Sequence, residues 1–212
     1  MRMRRKRNLG QRLADCKDKL FEIITDELNF EKAIQNKEYI DFDKIFGNDN
    51  PTVLEIGCGK GKFACEYAKA HPEQNVIAVE KYVEACERAI EDGIDNLYFI
   101  KGNAEYLPKY IKDGSVERIF LNFSCPFPKN KYAIHRLTHH RFLSIYRLLL
   151  CEGGEIHQKT DNMHFFEFSI EEFSQNGFAL KNVSLDLHRS GFEDNIMTEY
   201  EARFSSMGMP IY

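Results

Sequence analysis

The chain has 212 residues, 43% of them hydrophobic and 29% charged, which is enough apolar mass for one domain with a substantial core. No apolar run reaches the length of a membrane span, and no apolar stretch follows the start Met1-Arg2-Met3-Arg4-Arg5-Lys6-Arg7, so neither a membrane protein nor a secretory signal is expected. The net charge of −4 hides an asymmetry: residues 1–7 carry five positive charges, so the rest of the chain sums to −9.

In chain order, residues 1–46 read as a basic tail and a helical extension, with Leu13, Leu20, Ile23, Ile24 and Leu28 near helical spacing. The breaker cluster Gly47-Asn48-Asp49-Asn50-Pro51 opens the main domain, residues 47–212. Strands are expected at 52–57, 75–80, 96–101, 116–123 and 153–160, and helices at 61–71, 82–92, 138–151 and 162–176, the last capped by Asn162. Two final strands, 178–186 and 197–205, lie too close for a helical crossover and suggest an antiparallel pair. The alternation predicts an open α/β sheet whose ligands bind beyond the carboxyl ends of its strands.

The first strand of that domain runs into Glu55-Ile56-Gly57-Cys58-Gly59-Lys60-Gly61. Glycine takes positive φ and has no Cβ, so Gly57, Gly59 and Gly61 let a ligand approach bare backbone. Spacing excludes the G-x-G-x-x-G of dinucleotide sites and the Walker pattern. Glu55 would repel a pyrophosphate but suits the ammonium of a methionine moiety, while Glu80, at the tip of the next strand, suits two ribose hydroxyls. S-adenosylmethionine is the cofactor that satisfies both; a ligand-free tight turn is the plainer reading.

Later strand ends add to this. Asn103, followed by Ala104, could bond an adenine edge or serve only the turn. The fourth strand ends in Asn122-Phe123-Ser124-Cys125-Pro126-Phe127-Pro128-Lys129, where two prolines fix a rigid, extended loop. Residues 118–151 then contain no Asp or Glu but hold Arg118, Lys129, Lys131, Arg136, Arg141 and Arg147, with His135, His139 and His140. Such a basic window suggests contact with a polyanion, or simply a solvated face. The six cysteines show no C-x-x-C pair and no metal-ligand spacing, so reduced thiols and no bound metal are expected.

Several of these pieces resemble the bacterial tRNA (guanine-N7)-methyltransferase family. They are the Met1-Arg-x-Arg4 start, Val53–Phe63, Asn122-Phe-Ser with Pro126-x-Pro-Lys129, Arg136-Leu-Thr138, Lys159-Thr-Asp-Asn162 and Asn195-Ile-Met-Thr-Glu-Tyr-Glu201. The resemblance spans nearly the whole chain and is weakest over residues 8–46. It implies a class I S-adenosylmethionine-dependent methyltransferase (Rossmann-like) fold, a cytoplasmic location, and methylation of N7 of a variable-loop guanosine in tRNA. By resemblance Glu55, Glu80 and Asn103 fall on cofactor positions, and the cofactor set becomes Glu55, Gly57, Gly59, Gly61, Glu80, Asn103, Ala104, Asn122 and Cys125. Lys129, Asp161, Thr198, Glu199, Tyr200 and Glu201 fall on substrate positions.

One departure matters. The family's Asp-Pro-Trp-Pro, whose Asp is regarded as catalytic, is here Cys125-Pro126-Phe127-Pro128, so Cys125 takes the catalytic position. Guanine N7 carries a lone pair and no proton at neutral pH, so the general-base contribution of roughly 10²–10⁴-fold is not required. Losing the Asp then slows the reaction without abolishing it. Cys125 is either a pocket-lining thiol or a nucleophile. A tRNA-binding protein without turnover and a small-molecule methyltransferase remain as alternatives, and monomer and homodimer are both open.

Overall fold

Val53-Leu54, Val76–Val79, Leu97–Ile100 and Ile119–Leu121 are almost wholly apolar, the pattern of strands covered on both faces. In the computed structural model, which describes residues 16–23, 30–81, 89 and 92–212, they form β2 (Thr52–Ile56), β3 (Asn75–Glu80), β4 (Leu97–Lys101) and β5 (Val116–Asn122). With β1 (Leu20–Glu22) and β6 (Leu150–Lys159) they make a six-stranded sheet of order β1-β4-β3-β2-β5-β6, parallel throughout. The described helices are α1 (Phe30–Gln35), α2 (Phe42–Phe46), α3 (Lys62–Ala70), α4 (Leu107–Tyr110), α5 (His140–Leu149), α6 (Met163–Gln175) and α7 (Glu199–Ser206). None is long and apolar enough to cross a membrane.

Side chains along a strand alternate between faces, so the sheet feeds two cores. Leu54, Ile77, Val79, Ile119 and Leu121 pack with Leu143 and Tyr146 of α5. Val53, Val76, Ala78 and Phe120 pack with Phe63 and Tyr67 of α3. By the same alternation Glu55 shares the α3 side with Val53, so a carboxylate occupies a slot in an apolar layer. The chain steps from β2 out to β3 and β4, then returns to β5 on the other side of β2. The crevice lies between the carboxyl ends of β2 and β5, where such sheets bind ligands.

Three expectations change. The C-terminal antiparallel hairpin is absent: residues 178–186 form no strand, and 197–205 fall largely in helix α7. Thr198 and Glu201 form a capping box at its start, which satisfies free helix N–H groups that a strand would not offer. The helical reading of Leu20 and Ile23 is also corrected, because β1 pairs with β4, Leu20 opposite Phe99. Ile23 follows, its Cδ1 lying 2.8 Å from where a Cβ on Gly102 would stand, so this approach needs glycine. Finally, β6 begins at Leu150 rather than 153, through an irregularity opposite Val116–Arg118. Leu13, Ile24, Leu28, the tail 1–7 and nearly all of the helix expected over 82–92 lie outside the described residues. The Asn162 cap is present, its Oδ1 accepting from Phe165 N at 2.8 Å.

Candidate active site

Glu55 is buried, and one of its carboxylate oxygens accepts a hydrogen bond from Asn122 Nδ2 at 3.0 Å, joining the ends of β2 and β5 across the crevice. The other oxygen, Oε2, is buried with no partner. An isolated buried carboxylate costs several kcal/mol in charged form, about enough to make it bind a proton instead. Burial accordingly pushes the Glu55 carboxyl up to about 7, against the Asn122 hydrogen bond, the Lys159 charge and the Ala64 backbone N–H facing it. The turn that follows holds Gly57, Gly59 and Gly61 at φ of 83°, 56° and 73°, values disfavoured for residues with a Cβ. It is pinned to β3 by Gly57 N donating to Val79 O at 2.8 Å, and a Cβ at Gly59 would meet only open space. Buried Cys58 lines it as a neutral thiol, its pKa raised by burial and then by Glu55.

Glu80 ends β3 beside this turn. Its carboxylate accepts from Gly59 N at 3.2 Å and Lys81 N at 2.7 Å, which fixes its direction while leaving acceptor capacity on both oxygens. Asn103 precedes the short 3-10 helix Ala104–Tyr106 without capping it through its side chain, and Ala104 is buried. Glu55, Gly57, Gly59, Gly61, Glu80, Asn103, Ala104 and Asn122 all stand at carboxyl ends of β2, β3, β4 and β5.

The loop after β5 is strained. Phe123 and Phe127 both take positive φ, 49° and 41°, a region aromatic residues rarely occupy unless neighbours enforce it. At Phe127 the holding group is Arg136, buried, which donates to Pro126 O at 2.9 Å and Phe127 O at 3.1 Å while lying over the Phe168 ring; at Phe123 it is the backbone N, which donates to Lys159 O at 2.8 Å. Cys125 is exposed on this loop, and the neighbouring Ser124 hydroxyl is buried without a partner. Lys129 is exposed where the loop enters the 3-10 helix Asn130–His135.

Opposite the loop stands α7. Glu201 is fully buried and accepts from Lys159 Nζ at 2.8 Å and Asn195 Nδ2 at 2.5 Å, with His188 Nε2 at 3.1 Å. Burial opposes its charge, but these partners win and hold its carboxyl below the usual range. Lys159 also donates to Asn195 Oδ1 and Ile196 O, so the end of β6 grips the approach to α7. Glu199 is exposed and lies 3.4 Å from Lys60 of the glycine turn. Tyr200 is exposed beside Phe123. Asp161 is half-buried, and Asn162, not Asp161, caps α6. Thr198 and Glu201 are thus occupied in holding α7, while Glu199, Tyr200 and Asp161 remain presentable to a ligand.

The arginines of the basic window are tied down by partners within the fold. Arg118 lies over Phe120 and bonds the Tyr67 hydroxyl, Arg141 pairs with Glu105, and Arg147 bonds Asn176 O. With Arg136 committed to the loop, the exposed members of the window are Lys129, Lys131, His135, His140 and Arg147. His139, His140 and Glu172 bring potential metal-ligand atoms within 4.8 Å, but Glu172 there accepts from His140 N at 2.7 Å, an ordinary first-turn contact of α5. An open cleft of about 370 Å³ near Phe46, Pro72 and Asp92–Asn96 lies at the opposite, amino ends of the strands and shares none of these groups.

A family model described as "Putative methyltransferase" matches residues 49–212. The tRNA (guanine-N(7)-)-methyltransferase of Geobacillus kaustophilus (strain HTA426) is 49% identical over 173 residues, 80% of each chain. That of Listeria monocytogenes serotype 4b (strain F2365) is 48% identical over 80% of this chain and 81% of its own. The chain belongs to the tRNA (guanine-N(7)-)-methyltransferase family. Among solved structures, the 16S rRNA methyltransferase KamB aligns with a TM-score of 0.58 at 16% identity, over 82% of this chain and 92% of its own. The 30S ribosomal A1408 methyltransferase from an uncultured bacterium gives 0.53 at 14%, with the same coverage, and both likenesses show the fold alone. Within the family frame, the contacts of Lys159, Arg136 and Lys60 are what sequence reasoning did not foresee, although all three residues stand in motifs it singled out. Lys159 and Lys60 pair with residues far away in the chain, Glu201 and Glu199, whereas Arg136 folds back on the preceding loop. Only the Thr198-x-x-Glu201 spacing gave a local signal, that of a helix start.

Proposed function

We propose that this chain transfers a methyl group from S-adenosylmethionine to N7 of a guanosine in tRNA, the variable-loop guanosine being the target the family motifs imply. The observation that carries the reading is Glu55: a buried carboxylate with one unpartnered oxygen, at the switch point of a chain about half identical to tRNA (guanine-N(7)-)-methyltransferases. The residues present fit that cofactor. The unpartnered Glu55 Oε2 would accept from its ammonium, Glu80 from its ribose hydroxyls, and the open side of Gly59 leaves room for close approach. When bound, the cofactor supplies a methyl group on a sulfonium, already electrophilic.

The protein's own work is then positioning. Asn122 orients Glu55, Gly57 and Gly61 shape the turn, and Asn103 with Ala104 borders the nucleoside end. Alignment of two reacting groups supplies on the order of 7–11 kcal/mol, and N7 needs no proton removed. Cys125 therefore stands at the methyl-transfer position as a lining group. Asp161 and Glu199 are the acceptors suited to the N1 and N2 donors of guanine. Lys129 and Lys131, with the arginine-rich tail, attract phosphates, so tRNA affinity falls steeply with added salt.

We read residues 47–212 as the catalytic domain and 1–46 as its extension, which the family match over 49–212 supports. A cytoplasmic location follows from the substrate. The reading as a binding protein without turnover has nothing in its favour beyond Cys125. Mass spectrometry of tRNA nucleosides after incubation with protein and cofactor is the test. New 7-methylguanosine is expected, and its absence with both ligands demonstrably bound rejects the proposal.

A further inference from the structure

Phe123, Tyr200 and Phe204 have an arrangement that neither the capping of α7 nor the core requires. Each ring centroid lies 6.2 Å from both others, with ring planes 18° to 24° apart. Three parallel rings in a column would put the outer two about twice as far apart as neighbours, since stacked centroids add along one line. Equal spacing instead means that the rings lie side by side with offsets, as a tiled shelf. Tyr200 is 43% exposed, a large aromatic surface turned to solvent.

The shelf is held stiffly. Phe123 keeps a left-handed φ of 49°, and its N donates to Lys159 O at 2.8 Å. Tyr200 and Phe204 ride on α7, fixed by the capping box and the buried Lys159–Glu201 pair. In the chain, Phe123 stands between Asn122, which holds Glu55, and the loop bearing Cys125. A flat apolar surface is thus built against the methyl-transfer position.

Enzymes that act on a base within folded nucleic acid take it out of its stack and read it against aromatic or apolar faces. We propose that Phe123, Tyr200 and Phe204 form the platform on which the target guanine lies flat, with its ring edge directed along the shelf toward the Asn122–Cys125 segment. This rests on the reading of the chain as a tRNA guanine-N7 methyltransferase and adds how the base is held. A flat π-face is the recognised chemistry here, and the edge acceptors Asp161 and Glu199 complete the selection.

The test compares Tyr200→Phe with Tyr200→Leu in steady-state methylation of tRNA, with S-adenosylhomocysteine affinity measured by calorimetry. Tyr200 is exposed, so neither change threatens the core. Base–aromatic stacking predicts that Phe keeps kcat within about threefold while Leu lowers it about ten- to a hundredfold. KM for tRNA should move less than about threefold, because phosphate contacts dominate its affinity. Leucine at wild-type kcat overturns the platform, and so does a matching loss of S-adenosylhomocysteine affinity, which would mark a merely structural role. In both cases 7-methylguanosine formation by the wild type leaves the activity itself standing. If the wild type forms none, the functional reading fails and takes the platform with it.

Discussion

The two walls of the crevice are built differently. On the side proposed for the cofactor, Glu55, the glycine turn and Glu80 follow one another closely in the chain and are fixed by strand ends and backbone hydrogen bonds. On the side proposed for the substrate, α7 is held by Lys159 and His188, and touches the opposite wall through Lys60, 139 residues before Glu199. One wall is locally encoded, the other assembled from distant pairs. The lesson is that the two should fail separately: a change in the second should disturb the acceptor and leave the donor in place.

The strongest way to break that contrast is Glu201→Ala. Removing one partner of a buried ion pair typically costs about 3–5 kcal/mol, and here it strands Lys159 as well. Denaturant unfolding should show a loss of that order, and at low temperature the folded fraction should bind S-adenosylhomocysteine nearly as before. A parallel collapse of cofactor affinity would mean that the walls are one unit. Next in size, Cys125→Asp places a carboxylate at the seam between them. A charge-assisted hydrogen bond of about 1.5–3 kcal/mol to the developing positive purine corresponds to roughly ten- to a few-hundredfold in rate. Single-turnover methylation should rise by that much, and an unchanged or lower rate would count against Cys125 standing at the methyl-transfer position.

The smallest effect is a pH dependence confined to the donor wall. Burial raises the Glu55 carboxyl to about 7, so below that pH the ligand-free protein carries it protonated. Holding an ammonium requires the charged form, and the proton must leave. Cofactor affinity should therefore fall about tenfold for each pH unit below about 7, following linkage. Calorimetry in buffers of different ionisation enthalpy would register the released proton. A flat profile down to pH 5 would show that Glu55 is already charged before the ligand arrives.

The same contrast explains what was legible in the chain. The strands β2 to β5 declared themselves through apolar runs, and the glycine turn with Glu55 and Glu80 through spacing, because local sequence determines both. The substrate wall was harder. Residues 197–205 alternate enough to suggest a strand, yet Thr198 and Glu201 satisfy each other as a helix start, and that reciprocal pairing wins. Arg118 and Arg141 could be read as solvated charge, because their partners Tyr67 and Glu105 come from elsewhere in the fold. Three residues of β1 carry no strand signal of their own; the open edge of β4 confers it.

The vacant lone pair on Glu55 has a thermodynamic corollary. A protein that keeps an acid inside an oily layer is weakest when empty and gains most when a cation fills the gap. Donor and demethylated product should each raise the melting temperature, and the increment should shrink in acid, where the proton already quenches the fault. Packing around Phe63 and Val53 then becomes a dial for ligand hold as much as for folding, since both share the layer in which that acid sits.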